Sequence, residues 1–184
     1  MTNRCILQMA LLLCFCTVAL SRNYNLLRSQ LSSSNSACQN LLRQLNGTYC
    51  REDRMNFEVP EEIEQPQQLQ KEDAVLVIYE MLRQTLSVFR RNFASTGWNE
   101  TIVKRLHVEV HLQMDRLETN VAEITEKENF TWENTPVPHV RKYYARIVQY
   151  LKAKKYSRCA WTTVQAEILR NFSFLTGLLD YLQN

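Results

Sequence analysis

Two histidines that stand one helical turn apart, His107 and His111, come closest to a metal-binding pattern in this sequence. The i, i+4 spacing places two imidazoles on one face of a helix, where both could coordinate a single zinc ion. However, no glutamate follows His107 as in the H-E-x-x-H motif, and no third ligand stands at a suitable spacing. The paired Glu-x-x-His motifs of a di-iron helical bundle are also missing from the sequence. We therefore expect a polar helix flank here, with no metal and no other cofactor.

Other residue patterns of catalysis are missing as well. The sequence has no G-x-S-x-G, no P-loop and no dinucleotide turn, and its 3 glycines leave little room for a loop that cradles phosphate. The net charge is only +3, and the densest cationic group, residues 152–155, falls at the end of a predicted helix, where cations favour the helix dipole. We predict a protein that is not an enzyme and does not bind nucleic acid.

The first 21 residues have the pattern of a signal peptide. A short basic start is followed by an apolar run over residues 6–13, and Ala19-Leu20-Ser21 places small residues at the −3 and −1 positions of a cleavage site. The apolar run is too short for a membrane anchor. We predict cleavage after Ser21, a single domain over residues 22–184, and a secreted, extracellular product with no membrane insertion.

Three cysteines remain after the signal peptide, which predicts one disulfide and one free thiol. Cys38 falls in phase with the apolar positions of a helix, so we expect it to be a buried free thiol. Cys50 follows an Asn-Gly turn and Cys159 heads a helix, and element ends can adjust their geometry. We predict a Cys50–Cys159 bridge, which would stabilise the fold by roughly 4–5 kcal/mol in the chain-entropy model.

Four N-x-S/T sequons are candidate glycosylation sites in a secreted chain. Asn99 and Asn129 fall in predicted loops or helix edges, and Asn46 falls at a turn. Asn171 projects close to the apolar face of the last helix, where a glycan would oppose packing. We predict glycosylation at Asn99, Asn129 and Asn46, and regard Asn171 as the weakest acceptor.

Five segments carry the 3.6-residue apolar period of amphipathic helices, and none carries sustained strand alternation. They cover about residues 24–45, 69–93, 99–126, 140–151 and 157–182. The connection between the first two spans more than twenty residues, a length that is uncommon in a compact domain. Helical bundles with long crossovers are typical of helical cytokines.

One face of the last helix lacks the Lys and Glu of a plain solvated surface. Ala166, Leu169, Arg170 and Ser173 lie away from its core direction at i, i+3, i+4 and i+7. Arginine and apolar groups are enriched in protein interfaces. Scattered exposed leucines are also common, so the pattern alone leaves both interpretations open.

The chain resembles the type I interferons over its whole length, signal peptide included. The resemblance is carried by Asp53-Arg54-Met55-Asn56-Phe57, Gln70-Lys71-Glu72-Asp73-Ala74, Ile78-Tyr79-Glu80-Met81-Leu82, Ser95-Thr96-Gly97-Trp98-Asn99-Glu100-Thr101, Cys159-Ala160-Trp161 and Glu167-Ile168-Leu169-Arg170-Asn171-Phe172. It implies an all-α fold, a five-helix long-chain cytokine bundle that runs up-up-down-down with a long overhand loop between the first two helices. It also implies the Cys50–Cys159 disulfide and the free thiol at Cys38.

The resemblance further implies a function: a monomeric ligand that bridges the two chains of the type I interferon receptor and triggers kinase and transcription-factor signalling. The responses would be antiviral, antiproliferative and immunomodulatory. A helical cytokine of another family is the alternative, and an enzyme or carrier bundle ranks behind both.

Contacts with the receptor can be carried over by position from the family. For the high-affinity chain they fall on Arg51, Arg54, Ala166, Leu169, Arg170 and Phe174. For the low-affinity chain they fall on Tyr79, Glu80, Arg83, Leu86, Arg90 and Arg91. Two positions depart from the family, since Arg51 replaces a usually apolar residue and Gln165 replaces a frequent arginine. Residues 127–138 fit the family poorly, so no contacts are assigned there.

Overall fold

The computed structural model describes residues 24–47, Cys50 and residues 55–183. The predicted signal peptide lies outside the described residues. The described residues contain six helices: α1 over residues 24–44, α2 Glu61–Glu64, α3 Lys71–Phe89, α4 Glu100–Thr125, α5 Val137–Ala153 and α6 Arg158–Gln183. None of these helices is long and apolar enough to cross a membrane.

The five predicted helices correspond to α1, α3, α4, α5 and α6, and α2 is a single turn within the long first connection. Local signals fix several of their ends. The Asn99 side chain accepts a hydrogen bond from the Thr101 amide at 2.8 Å, which caps α4. The Ser157 hydroxyl accepts from the Ala160 amide at 3.3 Å at the start of α6. After α3 the chain turns through Gly97, whose φ of 70° favours glycine.

Contacts between helix ends show the direction of α1 and α3. Arg28, near the start of α1, pairs with Asp180 near the end of α6 at 2.7 Å, so α1 and α6 are antiparallel. Lys71, at the start of α3, donates from Nζ to the Leu182 carbonyl at 3.3 Å, so α3 and α6 are antiparallel too. The two helices joined by the long loop therefore point the same way.

The remaining helices complete the bundle. α4 runs back along α3, because Lys127 just after α4 pairs with Glu72 at the start of α3. α1, α3, α4 and α6 therefore form an up-up-down-down arrangement, which confirms the predicted fold. α5 runs parallel to α3, since Arg141 contacts Glu80 and, one turn further along both helices, Tyr144 contacts Thr85.

The core contains the predicted apolar stripes and an aromatic group at one end of the bundle. Trp161 is fully buried and its ring lies 6.0 Å from Phe89 and 5.5 Å from Trp98. The Trp161 indole N–H donates to the Asn92 carbonyl at 2.9 Å, which satisfies its polar edge. Cys38 is also fully buried and is a free thiol, as predicted.

Cys50 and Cys159 form a disulfide, with their Cα atoms 5.6 Å apart and a separation of 109 positions in sequence. The bridge ties the start of the long loop to the first turn of α6, as the sequence predicted. Further along, the loop packs over α5 and α6. Phe57 is buried with its ring 5.4 Å from Tyr150, and Arg146 donates to the Phe57 and Glu58 carbonyls.

Candidate functional site

The residues of α6 that the family resemblance assigns to the high-affinity receptor contact make up a set that we call the α6 patch: Ala166, Leu169, Arg170 and Phe174. Ala166 and Arg170 are exposed, whereas Leu169 and Phe174 are half-buried and pack against the core. The patch therefore combines two anchored apolar side chains with a cation. This composition is typical of the energetically important part of a protein interface.

Arg170 is held in place by two neighbours on the same helix. Its Nη2 lies 2.7 Å from Glu167 Oε1, and its guanidinium lies 5.7 Å from the centre of the Phe174 ring. The arginine side chain retains 42% exposure while the Glu167 side chain retains only 8%. The ion pair thus fixes Arg170 from the core side and leaves the outer part of its guanidinium open to a binding partner.

Glu167 is in turn supported by a buried chain of hydrogen bonds. The Tyr143 hydroxyl, from α5, donates to Glu167 Oε1 and also lies 2.8 Å from Asn171 Oδ1. The Asn171 amide donates to the Tyr144 hydroxyl at 3.1 Å, and that hydroxyl lies 3.3 Å from Thr85 Oγ1. These hydrogen bonds connect Arg170 on the surface to α3 at the centre of the bundle.

Burial keeps both tyrosines of this hydrogen-bond network, Tyr143 and Tyr144, protonated. It raises the pKa of Tyr143 far above its usual value, and electrostatic interactions with Tyr144 and Glu167 add to the effect. Burial likewise raises the pKa of Tyr144, and hydrogen bonds with Thr85 and Asn171 oppose this only in part. The two hydroxyls therefore act as fixed hydrogen-bonding groups and carry no charge at physiological pH.

The long loop begins directly beside α6. Gln165 donates from Nε2 to the carbonyls of Leu42 and Leu45, both at 2.7 Å, and so fixes the last turn of α1 against α6. A Cβ on Gly47 would lie only 2.9 Å from Thr162 Cγ2, so this close approach requires glycine. The position where the family often has arginine thus serves in this chain to dock α1 and the start of the loop.

Two residues predicted at the high-affinity contact, Arg51 and Arg54, lie outside the described residues. Cys50, which precedes them, is attached to Cys159, seven residues before Ala166.

The second predicted surface, on α3, is only partly exposed. Arg83 and Arg90 are exposed, and Tyr79 and Arg91 are half-buried. Leu86 is 3% exposed and Glu80 is 2% exposed, so the prediction that these two offer contact surface is wrong. Twelve residues of α3 are buried, because this helix packs against α4, α5 and α6.

Glu80 is a buried anchor for surface cations. Its Oε1 accepts hydrogen bonds from Arg83 at 2.8 Å, Gln84 at 2.7 Å and Arg141 at 3.1 Å. Burial alone would raise the pKa of this carboxyl, but these hydrogen bonds outweigh it and hold the pKa below its ordinary value. Glu80 therefore stays ionised and positions arginines from both α3 and α5.

The histidine pair lies on α4, with His107 half-buried and His111 exposed. Burial lowers the pKa of His107, and the nearby charges of Arg90 and His111 lower it further. The described residues contain no group of three His, Cys, Asp or Glu side chains that could hold a metal ion.

Three of the four sequon asparagines, Asn46, Asn99 and Asn129, are exposed. Asn171 is 1% exposed, and its amide takes part in the buried hydrogen-bond chain. The burial of Asn171 explains why it is the weakest acceptor among the four sequons.

Sequence reasoning did not identify Glu167 and Tyr143 as supporting residues of the site. Glu167 stands beside Ile168, at a position that a helical wheel places near the core. A charged residue at such a position was the one indication in the sequence that Glu167 has a buried partner. Its partner on α5 could not be read from the sequence, because Tyr143 and Glu167 are 24 positions apart and the segment between them includes a helix end and a turn.

Comparison with known proteins gives consistent results. A family model described as the interferon alpha/beta domain matches residues 27–182. The chain is similar to interferon beta of Equus caballus, with 74% identity, and to interferon beta of Homo sapiens, with 57% identity, each covering 100% of both chains. Its fold is similar to the solved structure of zebrafish interferon 1, with a TM-score of 0.72 at 16% identity over 85% of this chain and 98% of that chain.

Proposed function

The chain belongs to the interferon alpha/beta family and is a type I interferon cytokine, and from this premise we propose that it is secreted and bridges the two chains of the type I interferon receptor. Bridging brings the receptor-associated kinases together and starts antiviral, antiproliferative and immunomodulatory signalling. The ligand acts as a monomer, with one surface for each receptor chain.

The α6 patch, together with the first part of the long loop, forms the contact for the high-affinity chain. The observation that carries this proposal is the orientation of Arg170. Its guanidinium is held by the ion pair with the buried Glu167 and by contact with the Phe174 ring. A preorganised side chain loses less conformational freedom on binding than a free one, so more of its interaction energy contributes to affinity.

Chain length allows Arg54 to join this surface. Arg54 is four residues beyond Cys50, and four extended residues span about 14 Å. Leu169 is ten residues beyond Cys159, which corresponds to about 15 Å along a helix. Since the disulfide joins the two starting points, an arginine side chain at position 54 can reach the α6 patch.

The low-affinity chain contacts the exposed and half-buried residues on α3 and directly after it: Tyr79, Arg83, Arg90 and Arg91. Glu80 takes the role of a buried support for Arg83 in this proposal. The observation behind it is the set of three hydrogen bonds that converge on Glu80 Oε1.

Leu169→Ala and Arg54→Ala test the high-affinity contact. Each is expected to weaken binding to the purified high-affinity chain by about 5- to 30-fold, which corresponds to 1–2 kcal/mol. Helical content by circular dichroism should stay the same. Lys142→Ala is the matched control, because Lys142 is exposed on α5 and belongs to neither proposed contact.

Wild-type binding by both variants would show that the contact surface is misplaced. Reporter cells that lack one receptor chain test the function itself. Activity should disappear in cells that lack either chain, and unchanged activity would refute the receptor-bridging function.

A further inference from the structure

A cleft of about 250 Å³ lies at the end of the bundle where α3 begins and α4 ends. Its walls are the first turns of α3, the last turn of α4 and the loop after α4. It contains none of the residues of the α6 patch or of the exposed α3 surface. Neither proposed receptor contact accounts for it.

The lining of the cleft combines an apolar floor with free polar groups. Leu76, Ile124 and Phe130 provide the apolar part, and Asp73 and Asn134 are among the polar groups. Within the described residues the Asp73 carboxylate and the Asn134 side-chain amide form no hydrogen bond, and Asp73 forms no ion pair. Burial raises the pKa of Asp73, and the neighbouring Glu72 raises it further, so this carboxylate lacks a compensating donor.

This combination fits a sugar better than an apolar ligand or a metal ion. A pyranose has an apolar face, which packs on aliphatic and aromatic side chains, and a ring of hydroxyls that donate to carboxylates and carboxamides. Asp73 and Asn134 offer acceptors and donors for such groups. The cleft is too small for a branched saccharide.

A sequon asparagine stands in the wall of the same cleft. Asn129 lines the cleft, is exposed, and has a φ of 68°, which fixes it at a tight turn closed by a hydrogen bond from the Phe130 amide to the Lys127 carbonyl at 3.1 Å. A sugar attached to Asn129 would start at the wall of the cleft. Asn99, by contrast, lines no part of it.

We propose that Asn129 is glycosylated and that the cleft binds the first N-acetylglucosamine of this glycan, with its apolar face on Phe130 and its hydroxyl and acetamido groups near Asp73 and Asn134. The modification joins Asn129 Nδ2 to C1 of the sugar. The bond between C1 and the diphosphate of the lipid-linked donor breaks, and Nδ2 loses one proton. The inference rests on the proposed secretion of the chain but not on receptor binding.

The experiment compares the full chain secreted from mammalian cells with two variants that lack this sequon, Asn129→Gln and Thr131→Ala. A third sample is wild type trimmed by an endoglycosidase to a single sugar per site. Thr101→Ala is the matched control, because it removes the Asn99 sequon, which lines no part of this cleft, and keeps the Asn99 cap on the Thr101 backbone amide. Peptide mass spectrometry measures occupancy, and hydrogen exchange and calorimetry measure local and global stability.

We expect Asn129 to be occupied, and amides of residues 72–76 and 126–135 to exchange about tenfold more slowly in wild type than in either variant. The Tm should be about 2–4 °C higher. Trimmed protein should keep this protection, since only the first sugar lies in the cleft, and Thr101→Ala should leave it unchanged. An unoccupied Asn129, protection that is lost on trimming, or equal exchange with and without the glycan would overturn the proposal. Receptor binding measured on the same samples tests the proposed function separately.

Discussion

Replacing Tyr143 by phenylalanine removes one hydroxyl from the buried chain beneath Arg170. The Tyr143 side chain is fully buried, and its hydroxyl contacts both Glu167 Oε1 and Asn171 Oδ1. A hydroxyl carries one proton, so it donates to one acceptor at a time, and the ionised Glu167 is the stronger acceptor. The variant keeps the ring and its packing but takes this donor away from the buried Glu167 carboxylate.

The expected loss follows from the charge of the acceptor. Hydrogen bonds to charged groups contribute about 1.5–3 kcal/mol to stability, so Tyr143→Phe should lower the free energy of unfolding by this amount. For a domain of this size the Tm should fall by about 3–12 °C. Arg170 keeps its ion pair with Glu167, so affinity for the high-affinity receptor chain should change less than about threefold.

Urea unfolding followed by circular dichroism measures the change, with the same m-value expected for both proteins. Tyr79→Phe is the matched control, because the half-buried Tyr79 hydroxyl has no hydrogen-bond partner among the described residues. Its effect should stay within about 0.5 kcal/mol. If Tyr143→Phe were as stable as this control, the hydroxyl would not stabilise the network and the reasoning would fail.

Two further predictions concern buried ionisable groups. Burial and the charge of Glu109 raise the pKa of Cys38 from 9.0 to about 12, so iodoacetamide at pH 8 should label the native thiol about 1000-fold more slowly than the unfolded one. Because the folded pKa is the higher one, stability should fall as the pH rises from 9 towards 12, and a Cys38→Ala variant measured by urea unfolding should lack this fall. The pKa of Glu80 is held below its ordinary value of 4.5, so its contribution is complete above pH 4.5 and is lost as the pH falls through the lowered folded pKa. Glu80→Gln should therefore be less stable than wild type at pH 7, and this difference should shrink as the pH falls below 4.5. An equal difference at pH 7 and at acidic pH would contradict this assignment.

The helices and the disulfide could be predicted from the sequence because their determinants are local. The 3.6-residue period and the caps at Asn99 and Ser157 define where helices run, and Cys50 and Cys159 stand at element ends. The contact surface on α3 could not be predicted in the same way. α3 packs against three other helices, so Leu86, a member of its apolar stripe, is buried even though its position in the family suggested a contact.

Polar contacts within the core depend on pairings between distant segments. Asn171 and Tyr144 are partners because α5 and α6 lie side by side, and neither residue has a neighbour in sequence that indicates this. The same is true of the cleft beside Asn129, which exists only because the loop after α4 returns to the start of α3. Periodicity identifies which face of a helix is buried but not which polar group it meets there.

The burial of Asn171 also places a condition on modification of the chain during synthesis. The nitrogen that would carry a glycan, Nδ2, is the atom that donates to the Tyr144 hydroxyl inside the bundle. A glycan on this nitrogen would stand between α5 and α6, so a chain modified at Asn171 could not form this packing. In the proposed secretory route, native packing therefore requires Asn171 to stay unmodified.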